Sequence, residues 1–586
     1  MSDKKQIKLN IDGTEVVVDK GTTILEAAQK ANIDIPTLCF LKDINEVGDC
    51  RMCVVEVEGR RGFATACIQE VEEGMVVRTH TPAVMESRRT TLDLIISNHN
   101  RDCLTCTRNG NCELQSLCVK FNIQSVEFEG ERTKHKIDDK SPSIVRDFNK
   151  CILCRRCVAT CKKIQGIGAI DCINRGFESC ISTVGDRSLN DVNCTFCGQC
   201  IQSCPTGALK EKESINEVWR KLKDPDVYTV VQTAPAVRVA LGEEFGLEIG
   251  TNVTGKMITA LKRLGFDKVF DTNTGADFTI MEEGNEFIER LNNNGVLPMI
   301  TSCSPGWVKY CEMNYPDQIS NLSTCKSPHQ MFGALIKSYF AKKQNIDPSK
   351  IFVVSVMPCI AKKFEIQRNN MQGVEGYNDV DAVITTRELA RMIKQGNITF
   401  DQLEDSKFDN PMGEATGAGA IFGTTGGVME AALRTVSEEL TGKSFQNIDY
   451  TAIRGEEGIK RAIVNIGDKE IKVVVASGLA NAQKIMEEIK SGKADYQFVE
   501  IMACPGGCVM GGGQPIKNSK IRATVDVRKL RADALYTADE KSKVRKSHEN
   551  PVVKKVYKEF LEKPGSKKSH ELLHTSFEKR EKYKLK

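Results

Sequence analysis

Cysteine spacing constrains this chain more than any other feature. Cys151, Cys154, Cys157 and Cys161 follow the pattern C-x2-C-x2-C-x3-C, and Cys194, Cys197, Cys200 and Cys204 repeat it with Pro205 next in line. Of 24 cysteines in 586 residues, 18 lie in residues 1–204. That stretch is about 9% cysteine, the density of a disulfide-stapled secreted domain. A disulfide framework needs an export signal, yet the opening MSDKKQIKLNIDG has no apolar core, and no run of about 18 apolar residues occurs in the chain. The expectation is a cytoplasmic protein without a membrane partner, whose thiols serve as metal ligands rather than cystines. The length predicts several domains. A formal net charge of +4, from 82 Lys and Arg against 78 Asp and Glu, argues against both disorder and a polycationic nucleic-acid binder.

Along the chain, five segments separate. Residues 1–79 read as a small β-grasp: Ile7, Leu9 and Ile11 alternate before Asp12-Gly13, a type I′ hairpin signal, and Val16 to Val18 continue beyond it. Thr22 or Thr23 then caps a helix with Ile24, Ala27, Ala28 and Ala31 on one face. Cys39, Cys50, Cys53 and Cys67 follow. Residues 80–125 hold His99, Cys103, Cys106 and Cys112, and residues 140–212 hold the two repeated runs. From about residue 215 to 515, apolar runs such as Tyr228 to Gln232 and Ile351 to Met357 alternate with helical stretches such as Met429 to Leu440, which predicts α/β layers. Residues 516–586 are Lys-rich and read as paired short helices at the surface.

The repeated run is that of bacterial two-cluster ferredoxins, in which the fourth cysteine of each run ligates the other run's cluster. Cys151, Cys154, Cys157 and Cys204 are therefore expected to hold one 4Fe-4S cluster, and Cys194, Cys197, Cys200 and Cys161 the other. Zinc would use paired ligands instead. Cys39, Cys50, Cys53 and Cys67 resemble the 2Fe-2S ligands of plant-type ferredoxins, with structural zinc as the alternative. His99, Cys103, Cys106 and Cys112 fit either zinc or a fourth accessory cluster; their position between two iron-sulfur modules points to 4Fe-4S.

Three later segments carry the remaining chemistry: Thr301-Ser-Cys-Ser-Pro-Gly-Trp307, Met357-Pro-Cys-Ile-Ala-Lys-Lys363 and Met502-Ala-Cys-Pro-Gly-Gly-Cys-Val-Met-Gly-Gly-Gly-Gln-Pro515. Cys359, Cys504 and Cys508 sit beside Pro and Gly, where backbone turns sharply and approaches a bulky ligand closely. These segments closely resemble the signature motifs of the FeFe-hydrogenases, TSCCPxW, MPCxxKxxE and ExMACxxGCxxGGGQP. Glu365 and Glu500 fall where the last two want Glu. The resemblance implies an H-cluster, a 4Fe-4S cubane joined through a cysteine to a two-iron unit bearing CO, cyanide and azadithiolate. Carried over, Cys359, Cys504 and Cys508 hold the cubane with Cys508 as bridge, and Lys362 donates to a cyanide. Ser327, Pro328, Met357 and Met502 line the two-iron pocket, and His329 stands where relatives often have Gln. Cys303 faces the azadithiolate, with Glu283, Ser323, Glu286 and Arg290 as the proton relay behind it. Without that resemblance, Glu286 and Arg290 would read as an i,i+4 surface ion pair.

One departure stands out. Where the family's second cysteine ligates the cubane, this chain has Ser304, a harder and poorer donor for iron. Two options follow: Ser304 ligates, or Cys303 shifts to ligate and the relay loses its thiol. The chain has no dinucleotide or phosphate fingerprint, since Gly442-Lys443-Ser444 lacks the first glycine of a P-loop, and the Gly-rich run Gly413 to Gly427 reads as packing near the site. NAD(H) and flavin are therefore expected on partner subunits. The expected function is reversible proton reduction to H2, in an NAD-linked complex that bifurcates electrons between NADH and ferredoxin. The alternatives are a stand-alone ferredoxin-dependent hydrogenase and a non-catalytic hydrogen sensor or iron-sulfur scaffold. Cys118, Cys172, Cys180, Cys311 and Cys325 are left to packing.

Overall fold

The computed structural model describes residues 5–443, 448–455, 458–467 and 469–584; Ser444 lies outside them. In the first module Asp12 and Gly13 take φ of 50° and 88°, the left-handed pair a type I′ turn demands. Gln6–Ile11 and Thr14–Asp19 consequently pair antiparallel, with Ile11 opposite Thr14. Val76–Arg78 adds in parallel to the first strand, and Val54–Val57 and Phe63–Thr65 complete a five-stranded mixed sheet. Thr23, not Thr22, caps the helix Ile24–Lys30 through a reciprocal capping box with Glu26. The helix buries Ile24, Leu25, Ala27 and Ala28 against the sheet core.

The helices Pro82–Asn98 and Glu113–Lys120 follow. Their Leu92, Ile96, Leu114 and Leu117 share a core with Leu38 and Met52 of the first module. In the repeated region the pseudo-symmetry extends to the backbone: Leu153 and Phe196 take φ of 56° and 59°, and Arg155 and Gly198 take 59° and 74°. Each left-handed residue lets the chain wrap a cysteine loop before a short helix begins. The strands Ile144–Arg146 and Leu209–Glu211 pair antiparallel and close this unit.

Beyond residue 215 lie two four-stranded sheets. One is fully parallel, in the order Lys268–Asp271, Tyr228–Thr233, Ile351–Met357, Ala382–Thr385. The other runs Met299–Ile300, Phe498–Met502, Lys469–Ser477, Ile459–Ile466, parallel except for the last pair. Ile351–Met357 is buried at every position, the continuous apolar run that a strand covered on both faces requires. The helix Thr272–Asn292 packs on Pro328–Leu335 on one side and Gly427–Thr441 on another. The Gly-rich run is more ordered than a loop: Thr416 caps the helix Gly417–Ile421 within it.

The Lys-rich C-terminal segment lies at the surface as expected, but it is also anchored in the core. Its helices include Val527–Glu540, Pro551–Val556 and Lys567–Leu573. Leu535, Val553, Leu561 and Leu573 are fully or almost fully buried in cores shared with the rest of the domain. Most of the lysines face outward while a sparse apolar set faces in, a pattern that composition alone conceals.

Candidate active site

The carboxyl ends of strands from both sheets converge on one cavity, the usual position for a site in parallel α/β architecture. Ile351–Met357 leads to Pro358 and Cys359, Phe498–Met502 to Ala503 and Cys504, Met299–Ile300 to Cys303 and Ser304, and Tyr228–Thr233 to Ala234 and Pro235; all eight delivered residues line the cavity. Cys508, Pro328, His329, Met357, Met502 and Lys362 line it as well. Its wall is almost wholly apolar. Gly507 has φ +85°, and a Cβ there would stand 2.8 Å from Thr425 N; at Gly511 a Cβ would stand 2.3 Å from Pro358 O. Backbone therefore packs on backbone behind Cys508, leaving its sulfur turned inward.

This donor set suits a metal cluster. Burial, then the charge of neighbouring Cys359, Cys197 and Cys508, pushes the Cys504 thiol well above its usual range, and burial followed by Cys359 takes Cys508 up to about 12. Such thiols stay protonated alone and become thiolates when a cation shares their charge.

Cys303 and Ser304, though adjacent, have different partners. Ser304 precedes the helix Pro305–Asn314, and its Oγ, instead of capping that helix, accepts from Ala503 N–H at 3.3 Å, next to Cys504. The Cys303 thiol is raised well above its usual range by burial and then by the Glu283 carboxylate. Lys362 Nζ donates to Ser327 Oγ at 3.0 Å, Glu365 Oε2 at 3.1 Å and Cys303 O at 3.5 Å. Ser327 thus orients Lys362 without lining the cavity itself. His329 is fully buried: its Nε2–H donates to Glu365 Oε2 at 2.6 Å, and Nδ1 accepts from Ser355 at 3.1 Å. Burial and the Lys362 charge lower its pKa to about 4, so the ring is neutral. Glu365 falls to about 2, because the Lys362 charge and the His329 hydrogen bond outweigh burial. Glu500 plays another part, accepting from Gly426 N and Met429 N at 2.7 Å each and so capping the helix Gly427–Thr441.

Beside Cys303 lies Glu283, fully buried, its carboxyl near the Ser323 hydroxyl but without a well-formed hydrogen bond to either oxygen. Burial, followed by the Glu286 charge, raises it to about 8. Ser323 Oγ donates to Glu286 Oε2 at 2.9 Å, and Arg290 Nη2 donates to Glu286 Oε1 at 2.6 Å. Arg290 also donates to the carbonyls of Val296, Ser320, Asn321 and Leu322. The Glu286–Arg290 pair exists, but it is mostly buried and part of a larger network rather than a solvated surface pair.

The N-terminal cysteines form further groups. Cys151, Cys154, Cys157 and Cys204 line one small cavity, and Cys161, Cys194, Cys197 and Cys200 another, the crossed grouping of a two-cluster run. Cys39 N–H points at Cys50 Sγ at 3.3 Å, and the Cys53 and Cys67 sulfurs are 3.3 Å apart. His99, Cys103 and Cys112 line a fourth cavity together with Cys118, while Cys106 Sγ lies against Gly207. His99 Nδ1 is buried with no hydrogen-bond partner, and burial lowers its pKa to about 4. A neutral imidazole with an unpartnered ring nitrogen is equipped to ligate.

Contacts between these groups are direct. Asn45 Nδ2 donates to Cys39 O at 2.8 Å and to Cys154 O at 3.0 Å. Glu113 N–H donates to Pro205 O at 3.1 Å, with Cys112 Sγ 3.7 Å from the same oxygen. Both N-terminal groups thus abut the Cys151 group. Cys197 lines both the second small cavity and the large one. Asn45 escaped the sequence reading because no motif marks it. So did Lys309, which donates to Cys194 O at 2.7 Å and lies over the Phe196 ring.

Comparison with known proteins places this architecture among the iron-only hydrogenases. Residues 227–512 match the family model for the iron-only hydrogenase large subunit, C-terminal domain, and residues 525–580 match the iron hydrogenase small subunit. Residues 4–82 match a 2Fe-2S iron-sulfur cluster binding domain, 88–127 an NADH-ubiquinone oxidoreductase-G iron-sulfur binding region, and 141–210 the ferredoxin-like domain of NADH-quinone oxidoreductase subunit 3. The chain is 48% identical to the NADP-reducing hydrogenase subunit HndD of Solidesulfovibrio fructosivorans, over 98% of this chain and 99% of that protein. It is 44% identical to iron hydrogenase 1 of Clostridium pasteurianum, over 97% and 99%. An apo FeFe-hydrogenase HydA1 structure from Chlamydomonas reinhardtii aligns at TM-score 0.56 and 40% identity, covering 63% of this chain and 99% of that one. The chain belongs to the FeFe-hydrogenase family, and is an enzyme with 2Fe-2S and 4Fe-4S domains ahead of an H-cluster domain. Among the described residues, no helix is long and apolar enough to cross a membrane.

Proposed function

We propose that this protein catalyses 2H⁺ + 2e⁻ ⇌ H2 as the hydrogen-handling subunit of a cytoplasmic, NAD(P)-linked complex that bifurcates electrons between NADH and ferredoxin. The observation that carries this reading is the apolar cavity where Cys359, Cys504, Cys508, Ser304 and Cys303 meet, with the buried carboxyl of Glu283 behind Cys303. Cys359, Cys504, Cys508 and Ser304 would hold the cubane, while Pro328, Met357 and Met502 would shape an apolar seat for the two-iron unit. When bound, the H-cluster supplies the redox centre at which protons and electrons combine. The chain's own groups deliver the protons. Cys303 holds one at its sulfur, and Glu283, protonated near neutral pH, replaces it from behind. Ser323 and Glu286 pass the next proton inward from the Arg290 side. Lys362, fixed by Ser327 and Glu365, would present its cation to a cyanide of the two-iron unit.

Ser304 keeps the cubane role and Cys303 the proton role, because each already has the partners for it: Ala503 N–H on the hydroxyl, Glu283 behind the thiol. The four N-terminal ligand groups would hold one 2Fe-2S and three 4Fe-4S clusters, which would supply electron transfer toward the cavity. Asn45 couples the Cys39 group, and Pro205 the Cys112 group, to the Cys151 group. NAD(P) linkage rests on the likeness to the NADP-reducing relative and on the missing dinucleotide fingerprint, which assigns nicotinamide to a partner. Cytosolic Fe-S cluster assembly factor narfl of Xenopus tropicalis, 32% identical over 67% of this chain, represents the scaffold alternative. Against that alternative weigh the Ser323 hydroxyl, which donates to Glu286 Oε2 at 2.9 Å, and the Cys303 thiol, raised by burial and then by the Glu283 charge.

The test is H2 evolution by purified, anaerobically matured protein with reduced viologen, then with NADH plus reduced ferredoxin and co-purifying subunits. The proposal expects H2 from viologen with the isolated chain, and from NADH only with the partners. No H2 from any donor would favour the scaffold; H2 from ferredoxin alone, unaffected by NADH and partners, would favour the stand-alone enzyme.

A further inference from the structure

The end of the chain returns to the proton side of the site. Lys326 N–H donates to Leu573 O at 2.9 Å, and Thr575 N–H donates to Thr324 O at 2.8 Å. This pairing sets Cys325 opposite His574 in an antiparallel bridge. Glu286 adjoins both. One donor atom from each of the three, the Cys325 sulfur, a His574 ring nitrogen and a Glu286 oxygen, all lie within 4.8 Å of one another. Glu286 Oε2 is 3.9 Å from the sulfur and 3.3 Å from Thr324 Oγ1, which in turn is 2.7 Å from His574 Nδ1.

The far side of the imidazole is equally defined. His574 Nε2 lies 3.1 Å from Glu282 Oε2, and the Glu282 carboxylate also accepts from Tyr557 O–H at 2.6 Å and Gly565 N–H at 2.8 Å. A carboxylate held there accepts a hydrogen bond from Nε2–H and leaves the Nδ1 lone pair turned toward Thr324 and Glu286. Carboxylate support of this kind stands behind most metal-ligating histidines, fixing tautomer and orientation.

We propose that Glu286, Cys325 and His574 form a Zn²⁺ site, with the Thr324 hydroxyl or a water as fourth ligand. Zinc takes sulfur, imidazole nitrogen and carboxylate oxygen in four-coordinate sites; magnesium and calcium require oxygen throughout. Binding exchanges one Zn²⁺ for the Cys325 thiol proton, released to solvent. Thiolate and carboxylate together then neutralise the dication, as a mostly buried site requires. Arg290, the other charge on Glu286, gives up part of its hold on that carboxylate. The consequence rests on the relay role proposed for Glu286: with that carboxylate on zinc, proton supply stops and H2 evolution is inhibited.

The experiment uses matured holoenzyme in chelator-free buffer, titrated with zinc sulfate. Zinc K-edge absorption reports the ligands, and visible absorption of the iron-sulfur clusters reports their integrity. One sulfur at about 2.3 Å with nitrogen and oxygen neighbours is expected, at one zinc per chain, with clusters unchanged. Cys325→Ala and His574→Gln should each weaken zinc binding and zinc inhibition by about tenfold or more, each rate being compared with that variant's own zinc-free rate. Cys325→Ser, closer in size, guards against a packing defect. A zinc shell without sulfur, a shell of several sulfurs taken from cluster cysteines, or unchanged zinc affinity in Cys325→Ala and His574→Gln would overturn the site. Zinc bound as described without inhibition would keep the site and refute the relay role of Glu286.

Discussion

At the scale of single residues, the site depends on groups held away from their ordinary ionisation. Glu283 is the clearest: burial and Glu286 raise it from 4.5 to about 8. Between those values the folded chain keeps a proton that the unfolded chain has lost, so this residue's contribution to stability declines as pH rises toward about 8 and then levels. Glu283→Gln, which cannot ionise, should therefore raise the melting temperature relative to wild type by more at about pH 8 than at about pH 5. Equal shifts at the two pH values, by thermal melting, would contradict a raised folded value. The same substitution should lower viologen-driven H2 evolution by about 10²- to 10⁴-fold, the usual scale for removing a general acid-base group, with Glu283→Asp intermediate. In the wild type the evolution rate should fall as pH passes about 8, where Glu283 loses its proton. Ser304→Cys should change the cubane's EPR and Mössbauer signals, since sulfur replaces oxygen on iron; identical signals would show that Ser304 is not a ligand. The resemblance to the three signature motifs, and not spacing alone, made most of these residues legible. His574 and Thr324 were not, because their significance comes from contacts between positions 250 residues apart.

At the scale of elements, strand ends explain why three distant motifs form one cavity. Each follows a strand of one of the two sheets, and parallel strands deliver their successors to the same edge. The apolar runs made Tyr228–Thr233 and Ile351–Met357 recognisable; Met299–Ile300, two residues long, carries too little periodicity to be seen. The C-terminal helices lie at the surface, yet each buries an apolar stripe that their lysine-dominated composition conceals. Asn45 supplies a test of how modules join. Asn45→Leu removes the amide shared by Cys39 O and Cys154 O, so limited proteolysis should release the N-terminal module faster than in wild type. Rapid-freeze EPR should also show slower electron transfer from the 2Fe-2S centre. Unchanged kinetics in both would mean the modules are held together by other contacts.

At the scale of the whole molecule, the cysteine groups form a branched line: two N-terminal groups meet the Cys151 group, and the Cys161 group adjoins the catalytic cavity. Branching is what the proposed complex, with more than one electron donor, would call for. The central claim is that hydrogen is activated in this cavity with protons supplied through Cys303 and Glu283. Isotope exchange tests it most directly, because HD formation from D2 in H2O needs the site and its proton route but no electron donor. The account predicts HD from matured wild type, HD retained when Cys53→Ser disables the 2Fe-2S group, and a loss of about 10²-fold or more in Cys303→Ala and Glu283→Gln. HD absent from wild type, or undiminished in Cys303→Ala and Glu283→Gln, would contradict it.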